Sequence, residues 1–124
     1  YYTTPIGKAK LVNEGDQLTI ITYGMGVHWA KKAIDEKNIN ADILDLRTLL
    51  PLDKDSIFKS VKKTNRVLIV HEDCLTGGIG GEISSLINEN CFENFTHSIG
   101  ICLKKSCIKF LINRCIHVVK FLFK

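Results

Sequence analysis

Val67–Ile83, VLIVHEDCLTGGIGGEI, is the stretch whose reading decides the fold. Val67–Val70 is an apolar run without alternation, as in a strand buried on both faces. His71, Glu72 and Asp73 end it, a glycine turn follows, and Ile83, Leu86, Ile87 and Cys91 then recur at helical spacing. A fully buried strand delivered through a short turn into an amphipathic helix is half of a β-α-β unit, which predicts a parallel sheet.

The same grammar runs upstream. QLTIITYG (Gln17–Gly24) reads as a second buried strand, broken by Gly24 and Gly26. Val27–Lys37 reads as a helix with Val27, Ala30, Ala33 and Ile34 on one face. A further strand lies near Ala41–Leu46, and Pro51 stops any helix before it. Asp53 is placed to cap a helix whose buried stripe is Ile57, Phe58 and Val61. Gly7–Gly15 holds a short first strand that reaches its neighbour through the tight NEGDQ turn, which makes it antiparallel and places it at an edge. One more parallel strand is expected after Asn94. The fold class is therefore α/β: a three-layer α/β/α domain, with a mostly parallel five-stranded sheet and one antiparallel edge strand.

The chain has 124 residues, enough for one core, with 45% hydrophobic and 24% charged residues. No apolar run reaches the roughly 18 residues of a spanning helix. YYTTPIGKAK lacks the marks of a signal peptide, and the missing initiator Met fits a piece of something longer. Residues 1–94 carry 11 Lys and Arg against 13 Asp and Glu, a net of −2, whereas residues 95–124 carry 6 and none. The overall +4 belongs to the tail, which removes the main support for a nucleic-acid partner. The five cysteines form no C-x-x-C, so neither a disulfide framework nor a paired zinc site is indicated. They read as reduced thiols in a cytoplasmic protein.

Residues 95–124 form an atypical tail with no acid, no Pro and no Ala, but three Cys and four Phe. Ile99–Leu103 supplies a candidate last strand. Beyond it Lys105, Lys109, Asn113, His117, Lys120 and Lys124 make one polar stripe on an apolar helix. A basic helix on an anionic membrane is one reading. The break in composition favours a docked terminal helix or a non-native end, such as translation past a frameshift, so a membrane partner is not expected.

GMGVHW (Gly24–Trp29) and GIGGEI (Gly78–Ile83) both lack the last glycine of G-x-G-x-x-G, and no G-x-x-x-x-G-K-[ST] occurs. They read as turns that need positive φ and a close helix start. Ligands of open parallel sheets bind beyond the carboxyl ends of the strands. Tyr23, Asp45, Arg47, His71, Glu72 and Asp73 fall there. His71-Glu72 has the residue types of an acid–base pair. Consecutive strand side chains point to opposite faces, however, and bonding to loop backbone or to another subunit is the favoured reading. Arg47 either clamps a carboxylate or phosphate or pairs with Asp45 or Asp73. His28 and Trp29 read as packing or interface residues. The candidate interface or strand-end set is thus His28, Arg47, His71, Glu72, Asp73, Thr76, Gly77 and Gly78. No catalytic, cofactor-binding or metal-ligating set emerges. An independent small-ligand or nucleotide-binding α/β module stands as the alternative function.

Four segments, in order and closely spaced, carry a family resemblance: PIGKAKLVNEGDQLTIITYGMGVHWA, ILDLRTLLPLD, SVKKTNRVLIVHED and TGGIGGEISSLINENCF. They resemble the transketolase C-terminal domain superfamily, and within it the C-terminal domain of the beta subunit of thiamine-diphosphate-dependent 2-oxoacid dehydrogenases. His71-Glu72 followed by Thr76-Gly77-Gly78 looks more like the branched-chain (3-methyl-2-oxobutanoate) type than the pyruvate type. The resemblance covers about residues 5–94 and implies the same three-layer fold. It implies an alpha subunit and a second beta subunit as partners, with a lipoyl acyltransferase core receiving the acyl group. Thiamine diphosphate and Mg belong to the holoenzyme only. The G-D-G diphosphate motif and the pyrimidine-binding domain are missing here, so this chain alone is expected to bind no cofactor, to be inactive, and to serve as an assembly domain. Family members continue after CFENL with a strand resembling APIKRV and a D-x-P-x-P segment. Here Phe95-Thr96-His97 follows instead, which divides the chain into a family-like domain, 1–94, and the tail, 95–124.

Overall fold

Leu18–Thr22 is buried along its whole length, and its strand lies at the centre of the sheet. The computed structural model describes residues 3–91 and 99–102 and positions 108, 111 and 112. The elements are β1 (Lys10–Asn13), β2 (Leu18–Thr22), α1 (Met25–Lys37), β3 (Ala41–Asp45), α2 (Lys54–Thr64), β4 (Val67–Val70), α3 (Ile79–Cys91) and β5 (Ile99–Cys102). The strand order is β1-β3-β2-β4-β5. All neighbours are parallel except the antiparallel pair β1–β3. Every residue of β2 and of β4 is buried. The polar stripe expected from Lys105 onward lies outside the described residues.

Alternation splits the core in two. Leu18, Ile20, Ile43 and Leu68 face α1, where Ala30, Ala33 and Ile34 meet them together with Ile108 and Ile112. Ile21, Leu44, Val67 and Ile69 face α2 and α3, which supply Ile57, Val61, Ile83, Ile87 and Cys91. The expected three layers are therefore present. Phe58 and Leu86, assigned to buried stripes, are only half-buried. Ser60 and Thr64 take inner positions on α2, where both hydroxyls bond to Thr19 Oγ1 at 2.8 and 2.7 Å.

β1 is antiparallel and at the edge, but its partner is β3 and not the strand next in sequence. Gly15 explains the route. Its N–H donates to Asp42 Oδ1 at 2.9 Å, and a Cβ there would overlap the backbone of Asn40 and Ala41. The turn thus carries the chain closely past the start of β3 before entering β2. Asp53 caps α2 as expected, accepting from the Ser56 N–H at 3.2 Å. The chain runs left from β2 to β3, and then returns across β2 to β4. The order reverses between β2 and β4, where ligand crevices of open sheets form.

Candidate functional site

At this reversal the ends of β2 and β4 bring Tyr23 and His71 together, with ring centroids 6.5 Å apart. β5 fixes the His71 backbone, since its N–H donates to the Cys102 carbonyl at 3.1 Å. The imidazole turns toward the start of α3 and is 1% exposed. Gly80 leaves room for it, because a Cβ there would overlap His71 Nε2. A Cβ at Gly78 would overlap the Cys74 carbonyl oxygen, and Gly77 takes φ 78, a left-handed conformation. These glycines shape a slot for a ring, consistent with turns that need positive φ and a close helix start. At the start of α1, Gly24 takes φ 57 and a Cβ on Gly26 would overlap Thr22 Oγ1.

Neither ring nitrogen of His71 has a hydrogen-bond partner among the described residues. Burial pushes its pKa below the ordinary value, against the opposing pull of Asp73. Burial, then Asp73 and Glu72, pushes the Tyr23 hydroxyl up. Glu72, Asp73, Thr76 and Gly77 are exposed, and Asp73 Oδ1 accepts from the Cys74 N–H at 2.7 Å. No hydrogen bond therefore joins the His71 and Glu72 side chains. The bonding to loop backbone expected of the His71 side chain is also not found among the described residues. Arg47 meets Asp45, Nε to Oδ2 at 3.7 Å, and its own N–H donates to Asp45 Oδ1 at 3.2 Å. His28 stands exposed on α1, on the sheet face opposite α3.

A second polar group went unread in the sequence. Asp42, 1% exposed, accepts from the Gly15 N–H and from Lys63 Nζ on Oδ1, and from Ser60 Oγ on Oδ2. Ser60 in turn meets Thr19 and Thr19 meets Thr64, which ties α2 to the sheet. An acid inside an apolar strand, ADILD, was the available signal.

Among the described residues no three His, Cys, Asp or Glu side chains are grouped to hold a metal ion. The glycine turn at Gly77 and Gly78 is preceded by the acids Glu72 and Asp73, a poor setting for a diphosphate. No described helix is long and apolar enough to cross a membrane.

The family model described as transketolase, C-terminal domain, matches residues 7–104. The chain belongs to this family. Among curated relatives, this transketolase C-terminal domain is 48% identical over 94 residues to a 2-oxoisovalerate dehydrogenase subunit beta of Pseudomonas aeruginosa, covering 76% of the chain and 27% of the relative. It is 45% identical over 93 residues to the subunit of the same name from Bacillus subtilis, covering 73% of the chain and 28% of that relative. A pyruvate dehydrogenase E1 component subunit beta of Rickettsia bellii is 41% identical over 92 residues, with 72% and 28% covered. The chain thus spans between a quarter and a third of the length of these relatives. Among solved structures, a split-gene transketolase in an inactive beta4 tetramer superposes with a TM-score of 0.72 at 18% identity, covering 89% of this chain and 41% of that one. That likeness shows the fold.

Proposed function

We propose that this domain is the C-terminal assembly domain of the beta subunit of a thiamine-diphosphate-dependent 2-oxoacid dehydrogenase, of the branched-chain type, working in the cytoplasm. The observation that carries the reading is the 48% identity across 94 residues with a 2-oxoisovalerate dehydrogenase subunit beta. The holoenzyme would decarboxylate a branched-chain 2-oxoacid on thiamine diphosphate and pass the acyl group to a lipoyl arm. This chain would hold subunits together and bind neither cofactor nor substrate. Its partners would be the alpha subunit, a second beta subunit and the acyltransferase core.

The strand-end surface supports a contact role. Met25 and Leu75 are 50% and 59% exposed there, in the company of Glu72 and Asp73. Apolar side chains rimmed by charge suit a protein partner better than water. The test is co-elution of the chain with the alpha subunit of a branched-chain 2-oxoacid dehydrogenase on size exclusion. The wild type is expected to co-elute, and Met25→Lys combined with Leu75→Lys to elute alone with an unchanged melting temperature. Separate elution of the wild type overturns the assembly role. Calorimetric titration with thiamine diphosphate and Mg²⁺ is expected to show no binding, and micromolar affinity overturns the non-catalytic reading.

A further inference from the structure

A cavity of about 470 Å³ lies between α2 and the edge strand β1. Its size is in the range of small-molecule sites, about 300–1,000 Å³. Ala9, Leu11 and Leu44 give it an apolar floor. Lys59 and Lys63, one helical turn apart on α2, form its roof, and Glu14 stands at its wall. Ile108 and Ile112 pack on the other face of the sheet, against α1.

The charges decide what fits. The buried Asp42 carboxylate in the cavity wall is already satisfied by Gly15, Ser60 and Lys63, the last at 2.7 Å. Asp42 and Lys63 neutralise one another. What is left is one cation, Lys59, and one anion, Glu14, each without a partner among the described residues, on long side chains above an apolar floor. A phosphate or dicarboxylate meets the repulsion of Glu14, and a purely apolar ligand leaves both charges unused. We infer that this cavity binds a free α-amino acid with an apolar side chain. Its carboxylate faces Lys59, its ammonium faces Glu14, and its side chain rests on Ala9, Leu11 and Leu44. The site shares no lining residue with the strand-end loop, so it stands or falls separately from the assembly role.

The test is NMR titration of the whole chain with L-leucine, 4-methylpentanoate and isopentylamine. L-Leucine is expected to shift the signals of Ala9, Leu11 and Leu44 saturably, and each analogue, lacking one of the two charges, to bind more weakly. Lys59→Ala and Glu14→Ala are each expected to weaken L-leucine about fivefold, the scale of an exposed ion pair. Ala9→Phe fills the floor and is expected to abolish the shifts. Should it fail to fold, the two surface variants carry the test. The inference is overturned by the absence of saturable shifts up to about 20 mM L-leucine, a weak-ligand limit. Shifts centred on His71, or an analogue that binds as tightly as L-leucine, overturn it as well.

Discussion

Asp53 joins two parts of the chain that are far apart in sequence. Its carboxylate accepts from the Ser56 N–H and hydroxyl inside α2, and from the Ala9 N–H just before β1 at 2.9 Å. Burial opposes its charge, yet the bonds from Ala9 and Ser56, with Lys8 nearby, overcome that and hold the carboxyl below its usual pKa. The folded chain thus keeps the carboxylate ionised at a pH where the unfolded chain, near about 3.9, takes up a proton. This contribution is complete above that value and is lost as the pH falls through the lower folded pKa. Asp53→Ala is expected to cost about 1–2 kcal/mol in urea unfolding at neutral pH, the scale of a strong cap. Asp53→Asn keeps a capping oxygen, and its stability is expected to fall less steeply than that of the wild type between about pH 5 and 3. His71 works in the same direction, over a higher pH range. Burial lowers its pKa, so below about 6.5 the unfolded chain takes up the proton first and stability declines until the folded imidazole titrates. His71→Gln is expected to flatten the fall in melting temperature between about pH 7 and 5; an unchanged slope would sink this account. Asp53 was legible in the sequence because a cap is a local pattern. The role of His71 was not, because the slot that buries it is made by glycines that follow in a separate element.

Those glycines act at the scale of the element, and α3 carries an internal control. Gly80 and Gly81 are neighbours in its first turn, but only Gly80 faces the imidazole, while a Cβ on Gly81 would meet nothing within 4 Å. Replacing Gly by Ala in a helix is worth up to about 1 kcal/mol. Gly81→Ala is therefore expected to stabilise by about 0.5–1 kcal/mol. Gly80→Ala gains the same propensity but forces the His71 ring to move, and a net loss of about 1–3 kcal/mol is expected. Combining Gly80→Ala with His71→Ala should recover much of that loss, a coupling that a double-mutant cycle in urea unfolding measures. The helices and inner strands were readable from their periodicity, since burial on one stripe or on two faces leaves a local trace. The partner of β1 was not. Its choice of β3 depends on Gly15 passing against Ala41, a contact between segments that no local pattern records. The Asp42–Ser60–Thr19 network escaped for the same reason, since its members are spread over β2, β3 and α2.

At the scale of the whole molecule, the face covered by α1 is completed from far along the chain. β5 pairs with β4 from Val67↔Ile99 to Val70↔Cys102. Cys102, Ile108 and Ile112 then enter the same cluster as Ala30, Ala33 and Ile34. A sheet in this topology needs such cover, because β4 is apolar on both faces and α1 alone lies over β2 and β3 on its side. The composition of residues 95–124 left this packing as one of two readings, a docked terminal helix or a non-native end, since basic residues and the loss of acids mask an apolar pattern shared with the core. Ile108 and Ile112 are 1% and 0% exposed, so truncating either leaves a void in this cluster. Ile108→Ala and Ile112→Ala are each expected to cost about 2–5 kcal/mol in urea unfolding. A substitution at the exposed His28 of α1 should cost less than about 0.5 kcal/mol. Two isoleucine variants as mild as the His28 variant would mean that the core closes without this segment. Large and equal losses in both would mean that the family fold here draws its last cover from a sequence that does not look like the family.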